Sequence, residues 1–71
     1  MDTPKHKTLI KRREVLQRTA LANSSLYRLM ESGDFPQSLQ IGPRAVAWVE
    51  SEVEQWIEKK IKEAHAKRDG K

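Results

Sequence analysis

Between residues 23 and 28 the sequence places Asn23, Ser24, Ser25, Tyr27 and Arg28, side chains that hydrogen-bond base edges and phosphate oxygens. Upstream of them, Lys11, Arg12, Arg13 and Arg18 are cations of the kind that neutralise phosphates and release their condensed counterions. Arg44 follows alone, after Gly42-Pro43. The chemistry open to this set is recognition of an anionic polymer rather than bond-making. Nothing else supplies catalytic machinery: with no Cys there is no thiol nucleophile, disulfide or thiolate metal site. His6 and His65 lie in terminal segments without the spacing to an acid that metal or acid–base motifs use, and no Gly-rich phosphate loop is present. Glu50, Glu52 and Glu54 stand close together, but at a helix start, where the helix dipole accounts for them. The sequence therefore predicts a protein that is not an enzyme and takes neither a cofactor nor a metal.

Composition agrees with a small binding module. The chain has 71 residues, 14 Lys plus Arg against 10 Asp plus Glu, and a formal net charge of +4. A domain of this size buries about 60% of the surface its unfolded chain exposes, which leaves little room for a deep pocket. No apolar run is long enough for a membrane span or a secretory signal, so the expected setting is the cytoplasm. The charge is divided along the chain. From Lys5 to Arg28 seven basic residues face one acid, a net +6, whereas Ala45 to Glu58 holds four acids and no base, a net −4. A solvated surface would carry the same charge, so the elements beneath it must decide.

Those elements can be read from periodicity. Met1 to Lys7 has no pattern and reads as an arm; from Leu9 a short extended entry leads into a two-turn helix over Arg12–Arg18, with Val15, Leu16 and Thr19 on its inner side. A short connection, Thr19 to Ala22, precedes a second helix in which Leu26, Leu29 and Met30 follow i, i+3, i+4. Asn23 or Ser24 is the expected N-cap, and Gly33 the left-handed stop. Two short helices joined by about four residues form a helix-turn-helix, whose second helix is presented to a major groove. At 100° per residue, Ser24, Arg28 and Glu31 point away from the core, with Ser25 and Tyr27 on the flanks.

After Gly33-Asp34-Phe35-Pro36 the period changes to two. Leu39 and Ile41, then Val46 and Trp48, predict a β-hairpin with one apolar face around Gly42-Pro43-Arg44, closed by a type II′ turn or a three-residue loop. Arg44 at the tip is suited to touch a phosphate or the minor groove. A last helix starts at Ser51 or a residue or two before it. Ser51 and Glu54 have capping-box spacing; Val53, Trp56, Ile57, Ile61 and Ala64 form an apolar stripe; Glu58 with Lys62 and Glu63 with Lys67 make i, i+4 pairs. Trp48 and Trp56 read as core anchors. The acids near this helix start would repel phosphate, so it should pack on the far side of the hairpin.

Taken together, Arg13-Glu14-Val15-Leu16, Ser24-Ser25-Leu26-Tyr27-Arg28-Leu29-Met30, Gly33-Asp34-Phe35-Pro36, Ile41-Gly42, Arg44, Trp48 and Ser51-Glu52-Val53-Glu54-Gln55-Trp56-Ile57 resemble the AlpA family of prophage regulators, over about residues 9 to 60. That family is similar to phage excisionases and to the DNA-binding domain of MerR-type regulators. The resemblance implies a winged helix-turn-helix, mainly α with a small β-hairpin, acting as a transcription regulator of a prophage or integrative element. An excisionase-like DNA-bending factor and a small protein-interaction adaptor are the alternatives. It assigns Ser24, Ser25, Tyr27 and Arg28 to the recognition helix and Arg44 to the wing. Members commonly carry Gly and Ser where this chain has Ala20 and Ala22, and often a basic residue in place of Asn23, which here is suited to an adenine. The expected organisation is an arm (1–8), a DNA-binding domain (9–65) and a basic tail (66–71). Double-stranded DNA is the expected partner, with integrase or RNA polymerase beside it. The chain is expected to bind as a monomer or with weak cooperative self-association on DNA.

Overall fold

Six elements follow one another in a computed structural model that describes residues 7–69: β1 (Leu9–Ile10), α1 (Arg12–Thr19), α2 (Asn23–Ser32), β2 (Leu39–Gly42), β3 (Ala45–Val49) and α3 (Glu50–Asp69). They form a mainly helical, winged-helix-like fold: three helices and an antiparallel sheet of order β1-β3-β2. The arm expected over residues 1–8 lies outside the described residues except for its last two. So does the end of the expected tail, whose first residues continue α3.

α1 begins when the Val15 N–H donates to the Lys11 carbonyl, and ends at Ala20, whose N–H donates to Leu16 with φ at 62°. That left-handed conformation crowds a Cβ against the backbone and costs an alanine on the order of 1–2 kcal/mol. Glycine would adopt it freely. The Thr19 hydroxyl donates to the Val15 carbonyl and accepts from the Leu21 N–H, which fixes the turn. Leu21 is thereby set against the core. α2 starts one residue earlier than its capping residues suggest. Ala22 is the N-cap and has no side-chain bond to give, while Asn23 is already helical. At the other end Gly33, at φ 82°, closes the helix as expected: its N–H donates to Met30 and that of Asp34 to Leu29.

Ile10, Val15, Leu26, Phe35, Trp48 and Val53 make the buried core, edged by Leu16, Leu21, Leu29, Met30, Trp56 and Ile57. Trp48 is the anchor. Burying on the order of 200 Å² at about 25 cal/mol per Å², it contributes roughly 5 kcal/mol, as much as the whole net stability of many small domains. Its indole N–H is satisfied by the Pro36 carbonyl at 3.1 Å. Trp56 sits at the core's edge, its ring edge-on to Phe35 at 4.8 Å and its N–H donating to the Asp34 carbonyl at 2.7 Å.

The sheet differs from the expected hairpin in two ways. Leu9 and Ile10 pair with Val49 and Trp48 as a third strand, too short for any periodicity to reveal. The hairpin also lacks a single apolar face. Leu39 lies opposite Ala47 and Gln40 opposite Val46, and cross-strand partners share a face, so Leu39 is on the side away from Trp48. A bulge between Gln40 and Gly42 shifts the register toward the tip. Leu39, Ile41 and Val46 are consequently exposed, with only the Trp48 end of β3 reaching the core.

α3 also departs from its pattern. Val53 is buried and Trp56 and Ile57 half-buried, but Ile61 and Ala64 are exposed. A helix of 20 residues spans about 30 Å, which carries its C-terminal half past the core. The expected pairs Glu58 with Lys62 and Glu63 with Lys67 are absent among the described residues; Lys60 instead meets Glu63 at 3.3 Å and lies 5.6 Å from the Trp56 ring centre. No helix among the described residues is long and apolar enough to cross a membrane.

Candidate nucleic-acid interface

With Leu26 fully buried beneath it, α2 must turn its opposite side to solvent. Ser24, Tyr27, Arg28 and Glu31 are exposed there, and Ser25 is half-buried at the flank. Ser24, Tyr27, Arg28, Met30 and Glu31 line an open recess of about 580 Å³, together with Gln37 from the loop before β2. Gln37 had no signal in the sequence, since a lone Gln between a turn and a strand belongs to no pattern. The fold alone brings it to this face.

A second recess, of about 300 Å³, gathers Lys11, Arg12, Arg13, Arg44, Ala45 and Val46. The antiparallel pairing of β2 and β3 puts Arg44 at the turn, and the basic start of α1 lies against the base of that hairpin. The two recesses are linked. Arg12 Nη1 donates to Asn23 Oδ1 at 2.9 Å, joining the start of α1 to the start of α2. This bond also changes what Asn23 can do. Reading an adenine in two-point fashion requires Oδ1 to accept from the base amine while Nδ2 donates to the ring nitrogen. Oδ1 has a second lone pair, so an adenine contact would have it accept from Arg12 and the base amine together; the expected capping role is displaced, because Ala22 is the N-cap and Asn23 is already helical.

Arg18 is the clear departure among the expected contacts. It points away from both recesses and into carboxylates: Glu14 at 2.8 Å, Glu50 at 2.9 Å and Glu54 at 2.6 Å. The hydrogen bond with Glu14, followed by that with Glu54, raises its pKa above the ordinary arginine value. One cation among three anions leaves this corner net negative, where a phosphate would be repelled. Glu54 is therefore a clamp between α3 and α1, in place of the capping-box partner of Ser51. Of the acids that claim Arg18, Glu14 stands four residues before it and is visible in the sequence, whereas Glu50 and Glu54 arrive from a helix 32 and 36 residues downstream; charge counting alone therefore groups Arg18 with Arg12 and Arg13.

One recess thus gathers Ser24, Tyr27 and Arg28 and the other Lys11, Arg12, Arg13 and Arg44, with Arg12 bonded to Asn23 at the start of α2. Chemically this is a set of cations and short hydrogen-bonding groups.

Comparison with known proteins matches residues 8–61 to the family described as prophage CP4-57 regulatory protein (AlpA). The chain is similar to the uncharacterized protein ORF88 of Enterobacteria phage P4, 38% identical over 48 residues, which cover 68% of this chain and 54% of that protein. It thus matches about half the length of that relative. It is also similar to the DNA-binding transcriptional activator AlpA of Escherichia coli (strain K12), 26% identical over 54 residues, covering 68% of this chain and 77% of that one. No solved structure gives a significant match.

Proposed function

The chain belongs to the AlpA family of prophage regulatory proteins, and on that premise we propose that it binds duplex DNA and regulates transcription of a prophage or integrative element. α2 enters the major groove, where Ser24, Ser25, Tyr27 and Arg28 meet base edges and neighbouring phosphates. Arg44 on the β2–β3 wing reaches the adjacent backbone or minor groove, and Lys11, Arg12 and Arg13 engage phosphates. The observation that carries this reading is a hydrogen bond between the two helices. Arg12, which lines the Arg44 recess, bonds Asn23 at the start of α2, next to Ser24 of the α2 recess, so the basic side chains beside the wing are tied to the helix that presents Arg28. The relative whose name states DNA-binding transcriptional activation supports the same reading. The DNA-binding unit is residues 9–65, acting as a monomer or with weak cooperation along the duplex, beside integrase or RNA polymerase.

The test is selection of bound sequences from a random duplex pool, followed by affinity against salt on the best sequence. With about five phosphates neutralised, log K should fall with log salt at a slope near −4 to −5. Salt-independent association, or failure to enrich any sequence, would overturn the proposal. Several shifted bands with strong DNA bending would assign an architectural role instead.

A further inference from the structure

We propose that Gln37, with Glu31 beside it, forms a base-reading subsite that selects an exocyclic amine, the N6 of adenine or the N4 of cytosine. The inference rests on the DNA-binding reading above. An amide side chain has two hydrogens on nitrogen and an accepting oxygen, and an exposed glutamine can ordinarily present either group. Here the choice is made by the backbone. Gln37 Nε2 donates to the Met30 carbonyl at 2.8 Å and lies 3.4 Å from that of Phe35. Those carbonyls are held in place by the chain reversal that Gly33 closes and by the burial of Phe35. With both hydrogens directed at main-chain oxygens, Oε1 is the group left to offer, and Gln37 is exposed on the rim of the α2 recess.

Glu31 lines the same recess, is exposed, and makes no ion pair among the described residues. Ionised, it too is acceptor-only. The recess therefore offers both kinds of partner: Arg28 and the hydroxyls of Ser24 and Tyr27 supply donors, while Glu31 and Gln37 Oε1 supply acceptors alone. In the major groove the hydrogen-bond donors are the amines of adenine and cytosine, whereas guanine O6, thymine O4 and the purine N7 atoms are acceptors. A base facing these two acceptor-only groups is favoured if it is adenine or cytosine and disfavoured if it presents the keto edge of guanine or thymine. A residue that merely tied the loop to α2 would have no base preference.

The experiment compares sequence preference from random duplex pools for the wild type, Gln37→Met and Gln37→Glu. Gln37→Met removes donors and acceptor alike, while Gln37→Glu removes the donors that tie the loop but keeps the acceptors. The wild type should favour adenine or cytosine at one position by roughly tenfold. Gln37→Met should reduce that preference to below about twofold with preferences at other positions unchanged, and Gln37→Glu should retain it despite weaker overall binding. If Gln37→Met selects the same sequences as the wild type, or if Gln37→Glu loses the preference as fully as Gln37→Met, the subsite is overturned while DNA binding stands. If the wild type enriches nothing, the DNA-binding reading itself fails and the subsite with it.

Discussion

At the start of α1, Lys11, Arg12 and Arg13 share a recess with the wing arginine; at its end, less than two turns on, Arg18 is enclosed by Glu14, Glu50 and Glu54. Both ends carry basic side chains on one short helix, and a charge count treats them as equal. Their surroundings make them opposites. The first end faces solvent next to the hairpin, where positive charge accumulates. The second faces α3, whose acidic first turns turn a cation into a fastener between helices. What separates the two sets of basic side chains is which element packs over them. Charge in a small fold has to be assigned to a corner before it is assigned a role.

Four substitutions would break or sharpen that contrast. Arg28→Ala on the recognition face should have the largest effect, lowering affinity for the selected sequence by about 1–3 kcal/mol with little change in nonspecific binding or melting temperature. Equal losses on selected and random duplexes would make Arg28 only another phosphate contact. At the structural end of α1, Ala20→Gly removes the left-handed strain and should stabilise the fold by about 1 kcal/mol, a rise of roughly 4–8 °C in melting temperature. Its salt slope on DNA should stay as in the wild type.

Arg44→Ala should weaken binding to all duplexes by similar factors and reduce the magnitude of the salt slope by about 1. An unchanged slope would remove the wing from the interface. Arg18→Met should leave that slope untouched and lower the melting temperature, more at low salt than at high, because exposed ion pairs are screened. The sign with pH is definite. A pKa raised in the folded state gives stability that is present below the ordinary arginine value and lost only above it. The difference between wild type and Arg18→Met should therefore be flat between about pH 6 and 9. A loss of salt slope in this variant would return Arg18 to the DNA contacts and dissolve the contrast.

Much of the fold was legible because it depends on local rules. The periodicity of Leu26, Leu29 and Met30, the stop at Gly33 and the place of the β2–β3 turn each lie within a few residues of chain. The turn itself is a two-residue Pro43-Arg44 loop without the positive φ of the expected type II′ form, Gly42 being paired with Ala45. What escaped depends on separation. The strand at Leu9–Ile10 exists through Val49 and Trp48, and the face taken by Leu39 is set by its register with Ala47. The candidate site divides the same way. The exposed row Ser24, Tyr27, Arg28 follows from helical geometry, but the bond from Arg12 to Asn23, the capture of Arg18 and the arrival of Gln37 are meetings of distant segments.

Ala20 matters for another reason. A residue held in a conformation unfavourable to it is a reserve of stability that one substitution would release. It lies in the connection between α1 and α2 and lines neither recess. Changes on α2 that redirect sequence preference often weaken a fold this small, and a compensating change at residue 20 would restore it without touching what is recognised. In the laboratory it is the first position to alter before redesigning the exposed face of α2.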